Sequence, residues 1–153
     1  MYEYKEDKGQ DCPFFTFETE QNLSYYVAFR NMQVETKPLN KLESIDFSEI
    51  DKKKGYHDVE VSTTIIEIIN NYINRDNSII IHYICDSSDR KQHFRNKLFN
   101  KWFDLNNKEM VKYDVCVNDD YTLTFLYNQS IYETDVIESE IILMLGALEQ
   151  GKA

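Results

Sequence analysis

The stretch Ile79-Ile80-Ile81-His82-Tyr83-Ile84-Cys85 is apolar, apart from one histidine, on both of the faces that an extended strand presents. Such a strand needs cover on two sides, so it predicts a central position in a sheet. The remaining elements have to supply its neighbours and its cover. Phe14–Thr19 and Leu23–Phe29 are rich in aromatic and β-branched residues and flank Glu20-Gln21-Asn22, which predicts a hairpin. Tyr2 and Tyr4 alternate with charges, as in an edge strand. Residues 31 to 57 carry Pro38 and the run Lys52-Lys53-Lys54-Gly55, and read as a long connection holding one short strand at Ser44 to Phe47. The lysine triplet reads as a solvated loop.

The period then changes. After Asp58, a suitable N-cap, the residues Val61, Ile65, Ile68, Ile69, Tyr72 and Ile73 recur at helical spacing, and Asn74-Arg75-Asp76-Asn77 closes the element. A second helix is expected from about Asp89 to Leu105. Strands at Val111–Val117 and Tyr121–Tyr127 follow, joined through Asn118-Asp119-Asp120, and Asp135 with Glu138 opens a last helix through Ile141, Met144, Leu145 and Leu148. A helix between the Ile79 and Val111 strands is long enough to make them parallel neighbours. The fold class expected is α+β: a mixed, mainly antiparallel sheet with N-terminal strands, a central strand–turn–helix unit and about three helices.

At 153 residues, 42% hydrophobic and 14% aromatic, the chain can bury one sizeable core, and a single domain over 1–153 is expected. No apolar stretch reaches the roughly 18 residues of a membrane span, and Met1-Tyr2-Glu3-Tyr4-Lys5-Glu6 lacks the order of a signal peptide. A cytoplasmic protein without membrane contact is the reading. Cys12, Cys85 and Cys116 are odd in number and widely spaced, which suggests neither a disulfide framework nor a structural zinc site. No cofactor or metal is called for.

The formal charge of -10 disfavours general binding to nucleic acid or anionic lipid, yet residues 90 to 101 hold Arg90, Lys91, Arg95, Lys97 and Lys101 with no acid among them. On a helix, Phe94, Leu98, Phe99, Trp102, Phe103 and Leu105 form the apolar face. Arg90, His93, Lys97 and Lys101 fall opposite. Arg95 projects into the apolar arc, with Lys91 a turn earlier on the same side. An inward charge must be paired or reach a cavity. One reading has Arg95 staple the turn Asp86-Ser87-Ser88-Asp89 to the sheet, its guanidinium folding back to the carboxylate of Asp86 or Asp89 or to a backbone carbonyl there. The other reads Ser87, Ser88, Arg90, Lys91 and Arg95 as an anion site at a helix start. Every glycine of a P-loop or dinucleotide fingerprint is missing.

No catalytic constellation is legible. His82 shares a strand face with Ile80, Ile84 and Asp86, whereas Cys85 lies on the other with Ile81 and Tyr83, so they form no dyad. His57-Asp58 reads as a cap, and the three histidines show no metal spacing.

Ile84-Cys85-Asp86-Ser87-Ser88-Asp89-Arg90-Lys91-Gln92, followed by Arg95, Leu98-Phe99 and Trp102-Phe103 and preceded by the Thr64–Ile69 helix, resembles the domain-of-unknown-function family numbered 6169. The resemblance implies a small bacterial protein, mainly of Bacteroidetes, and brings no established activity. Two functions stay open. One is a non-enzymatic interaction or accessory module, of a phage-defence or toxin–antitoxin-like locus, whose basic edge 90–101 meets an acidic protein or a second copy. The other is a nuclease-like or phosphate-binding protein in which Arg90, Lys91 and Arg95 contact phosphate, nucleic acid being reached through residues 90–101. The run Ile141–Leu148 is apolar beyond the need of one helix face, which fits either self-association or deep burial.

Overall fold

Apolar side chains on both faces of one strand give that strand two cores to join, and this is how the chain is organised. The computed structural model describes residues 1–8, 11–50, 59–86, 92–106, 108–117 and 121–150. In chain order these form β1 (Tyr4–Asp7), β2 (Phe14–Glu18), β3 (Ser24–Asn31), a 3-10 turn at Leu39–Lys41, β4 (Leu42–Glu49), α1 (Val59–Arg75), β5 (Ile80–Asp86), α2 (Gln92–Asn106), β6 (Met110–Cys116), β7 (Tyr121–Asn128) and α3 (Thr134–Gln150). The strands make one seven-stranded sheet in the order β1-β2-β3-β4-β5-β7-β6. All neighbouring pairs are antiparallel except β4 and β5. The α+β class with a mixed, mainly antiparallel sheet and three helices is therefore the fold.

Two hydrophobic cores lie on opposite faces. One packs Phe15, Val27, Phe29, Phe47, Ile81 and Tyr83 against α1 and α2, through Ile65, Ile68, Tyr72, Leu98, Phe99 and Trp102. The other packs Leu42, Ile80, Leu123, Phe125 and Tyr127 against Ile137 and Ile141 of α3. Strand β5 contributes to both, Ile81 and Tyr83 to the first and Ile80 to the second, which is why its sequence shows no polar face. Helix α2 is moored to α1 by Trp102, which is 1% exposed and donates its indole N–H to Asn70 Oδ1 at 2.8 Å. The edge strand β1 is held by Arg75, whose guanidinium makes two bonds to Glu6, at 2.9 and 2.7 Å, and lies over the Phe15 ring.

Three expectations are corrected. Strands β5 and β6 are not neighbours, because β7 pairs between them; the parallel partner of β5 is β4, with α1 as the crossover. The short strand at Ser44–Phe47 is β4, eight residues long and central, because β3 and β5 pair with its two sides. Leu105 is 68% exposed rather than part of the α2 apolar face, since it stands one residue before the helix ends. In the apolar run of α3, Ile141 is buried, Met144 and Leu145 are half-buried, and Ile142 and Leu143 are exposed. No helix among the described residues is long and apolar enough to cross a membrane.

Phe99 is 1% exposed and stacks on Tyr83 with ring centroids 3.9 Å apart. Phe99→Ala should therefore destabilise the protein by about 3–5 kcal/mol, the usual range for emptying a buried aromatic site. Urea unfolding should show a lower midpoint at an unchanged slope.

Candidate functional site

The parallel junction at the middle of the sheet is short. Strands β4 and β5 are in register at Leu42↔Ile80, Glu43↔Ile81 and Ser44↔His82, and there the pairing stops. Strand β4 nevertheless continues to Glu49 along β3, and β5 continues to Asp86 along β7. Two strands that run side by side and then follow different partners enclose a fork.

The fork has a structural cause in α2. The Phe99 ring lies against Tyr83 of β5 and 5.9 Å from the Phe47 ring of β4, so it touches both strands beyond their last pair. One turn earlier on the same helix, Arg95 donates from Nη1 to the Ile84 carbonyl of β5 at 3.3 Å. Strands filled by these side chains from the α2 side cannot close on each other.

Beside these side chains the fork is open. A cavity of about 310 Å³ is lined by Ser44, Ile45 and Asp46 of β4, by His82, Tyr83 and Ile84 of β5, and by Met32 and Arg95. Ile84 is 47% exposed although it sits in a central strand, because neither a strand nor a helix covers it here. Asp46 accepts a 2.8 Å bond from the Tyr26 hydroxyl; burial, and then that carboxylate, push the tyrosine up to about 12. Tyr26 is thus a neutral donor at any physiological pH.

A larger cavity, of about 670 Å³, adjoins the first beneath α3 and shares Met32, His82 and Ile84 with it. Its walls are apolar, with Leu42, Val115, Leu123, Phe125, Met144 and Leu145 among them. His82 stands where the two cavities meet. It is 8% exposed and stacks on Phe125 with centroids 4.8 Å apart. Burial holds its imidazole below the usual histidine range, with a hydrogen bond to the Thr124 backbone opposing the shift. Its Nδ1 is buried and has no hydrogen-bond partner among the described residues.

Of the residues singled out from the sequence, Arg95 lines the fork, and Asp86 ends β5 opposite Tyr121. Ser87, Ser88, Asp89, Arg90 and Lys91 lie outside the described residues, as do Lys52-Lys53-Lys54, His57 and Asp58. Lys97 and Lys101 are exposed on the outer side of α2. The residues that sequence reasoning did not bring together are Met32, Ser44, Asp46, His82 and Phe99. One signal was present: a lone histidine in an otherwise apolar strand needs a polar contact on the face it shares with Ile80 and Ile84. Among the described residues no group of three His, Cys, Asp or Glu side chains could hold a metal ion.

The model of a family described as a family of unknown function, DUF6169, matches residues 57–144. Two solved structures are similar in chain trace. One, described as "a putative phosphinothricin N-acetyltransferase", is 14% identical, covers 76% of this chain and 68% of its own, and gives a TM-score of 0.46. Another, described as a "putative GnaT-family acetyltransferase from Bordetella pertussis", is 8% identical over 76% of this chain and 65% of its own, with a TM-score of 0.47. No curated protein matches the chain. Both structures carry the names of enzymes, and on that finding the expected non-enzymatic interaction module at residues 90–101 is corrected. The geometry adds that Arg95 is turned toward the sheet and bonded to the Ile84 carbonyl, away from the outer edge that carries Lys97 and Lys101.

Arg95→Ala removes a charged donor from a backbone carbonyl at a partly solvated position, and should cost about 1 kcal/mol in chemical denaturation. For His82 the folded-state value is depressed, so the unfolded chain takes up the proton first as pH falls below about 6.5. Stability should then decline toward acid by up to about 1.4 kcal/mol per pH unit. That component should be missing from His82→Phe when urea midpoints are compared between pH 7.5 and pH 5.5.

Proposed function

We propose that this chain, which belongs to the family of unknown function DUF6169, is a small-molecule-binding domain whose fork between β4 and β5 takes an extended, amide-bearing ligand. The observation that carries the reading is the end of the parallel pairing at Ser44↔His82 with a cavity directly beyond it. Where a ladder stops between two strands that both continue, the backbone groups next in line face the gap, and of these the Ile84 carbonyl is taken by Arg95. A ligand with amides along an extended arm can bond to such strand edges as an added strand does, the main chain supplying affinity and the side pockets selectivity.

The cavity chemistry supports a ligand of mixed character. Ser44 and Asp46 line one side with polar groups, and Tyr26 holds the Asp46 carboxylate in place. Ile84 and Met32 supply apolar surface at the other side and lead toward the chamber beneath α3. We assign the protein to the cytoplasm, in keeping with the free thiols of Cys12 and Cys116.

Acetyl-CoA is the probe suited to the test, because its arm presents successive amides in extended form. Calorimetric titration should give saturable binding with a Kd on the order of 1–100 μM, and pantetheine alone should compete for the same site. Ser44→Phe, which places a ring in the fork while the far-ultraviolet circular dichroism stays unchanged, should weaken both by at least about tenfold. Absence of binding at millimolar acetyl-CoA and pantetheine, or an affinity indifferent to Ser44→Phe, would overturn the reading.

A further inference from the structure

Helix α3 is seated on the sheet at one end and stands off it at the other. Ile137 and Ile141 are fully buried in the core that holds Ile80, Phe125 and Tyr127. Beyond them Ile142 is exposed, and Met144 and Leu145 are only half-buried. Strand β7 shows the same gradient, from Tyr127 and Phe125, which are buried, to Tyr121, which is half-buried. The chamber of about 670 Å³ lies in this wedge, and its size falls inside the range of small-molecule pockets, roughly 300–1,000 Å³. Met32, Ile84 and Ile142 all line it, and each is between 44% and 49% exposed. Large apolar side chains gathered at one opening mark a place where apolar matter binds.

The walls restrict what that matter can be. Among the described residues no Lys, Arg, Asp or Glu lines the chamber, so a charged group entering it would lose its hydration and gain no partner. An aliphatic chain meets no such cost. The chamber is also continuous with the fork, for Met32, His82 and Ile84 line both spaces. The fork offers Ser44 and Asp46 at one side and the chamber offers Leu123, Phe125, Met144 and Leu145 beyond it. A path that is polar first and apolar afterwards matches a ligand with an amide arm and a hydrocarbon end.

Resting on the fork as the seat of the amide arm, we propose that the chamber beneath α3 takes the aliphatic tail of the same ligand, an acyl chain of medium length carried as a thioester. The thioester lies by Met32 and Ile84, where the two spaces meet, and the chain runs on between β7 and α3. The protein then selects ligands by chain length, since each methylene moved out of water tightens binding by up to about fourfold.

The test compares octanoyl-CoA, acetyl-CoA and octanoate by calorimetric titration of the full chain. Octanoyl-CoA should bind at least about thirtyfold more tightly than acetyl-CoA, and octanoate, which lacks the arm, at least about tenfold more weakly than octanoyl-CoA. Val115→Trp, which places a ring in the chamber from β6, should remove the preference, so that octanoyl-CoA binds no more tightly than acetyl-CoA. A second readout needs no variant, because the free thiol of Cys116 is exposed and lines the chamber. Saturating octanoyl-CoA should slow its alkylation by iodoacetamide at least about fivefold, followed by mass spectrometry of the Cys116 peptide, and saturating acetyl-CoA should not. Equal affinity for the two thioesters overturns the chamber proposal and leaves the fork reading standing. Octanoyl-CoA binding that is chain-dependent and lost in Val115→Trp, with no binding of acetyl-CoA or pantetheine at millimolar concentration, upholds the chamber and overturns the fork. No binding of octanoyl-CoA overturns both. Octanoate as tight as octanoyl-CoA, or a Cys116 rate indifferent to octanoyl-CoA, also overturns the proposal. Should Val115→Trp fail to fold, the ligand series and the Cys116 rates on the wild-type chain decide the matter.

Discussion

The arrangement depends on one junction, the three-residue parallel pairing of β4 with β5. A parallel pair cannot be made by a tight turn; it requires a crossover, and α1 is that crossover. Because α1 must return over one face of the sheet, the Phe15, Phe29 and Tyr72 core forms on that face, and the Phe29 and Tyr72 rings stack 3.8 Å apart within it. The other face is left for the second half of the chain, which closes it with α3.

Those same strands separate because each has a stronger allegiance elsewhere. Strand β4 keeps seven register pairs with β3, and β5 keeps six with β7, against three with each other. Twist accumulates along a sheet, and two such bodies diverge unless something draws them together. Phe99 does the opposite, filling the divergence on the α2 side, and Arg95 bonds to the Ile84 carbonyl of β5 there. The fork is therefore packed by Phe99 and open as a cavity beside Arg95. The cavity arises at the place where the sheet gives up its own hydrogen bonds.

His82 shows how a strand position takes its character from its partners. One residue earlier, Ile81 faces the interior between the sheet and α1 and α2, and one residue later, so does Tyr83. His82 faces the second core at the point where both cavities reach it, which allows a polar ring in a strand that is otherwise apolar. Burial holds the imidazole below the usual histidine range. Arg95 is a comparable case: helical projection placed it among apolar neighbours, and the structure shows the long side chain reaching a strand carbonyl.

The sequence by itself determined the kinds of elements and their order, because period is a local property: residues 61 to 73 repeat at helical spacing, and 79 to 85 repeat at none. It also determined that β5 is central, since no other place tolerates a strand without a polar face. Which strand pairs with which was decided only in three dimensions. β7 lies between β5 and β6, and the short strand read at Ser44–Phe47 became the eight-residue partner of β5. No local pattern records a pairing made across α1 or a ladder that ends after three residues. The site has the same origin, for Ser44, Asp46, His82, Ile84 and Arg95 meet only because two strands part and a helix side chain holds the gap.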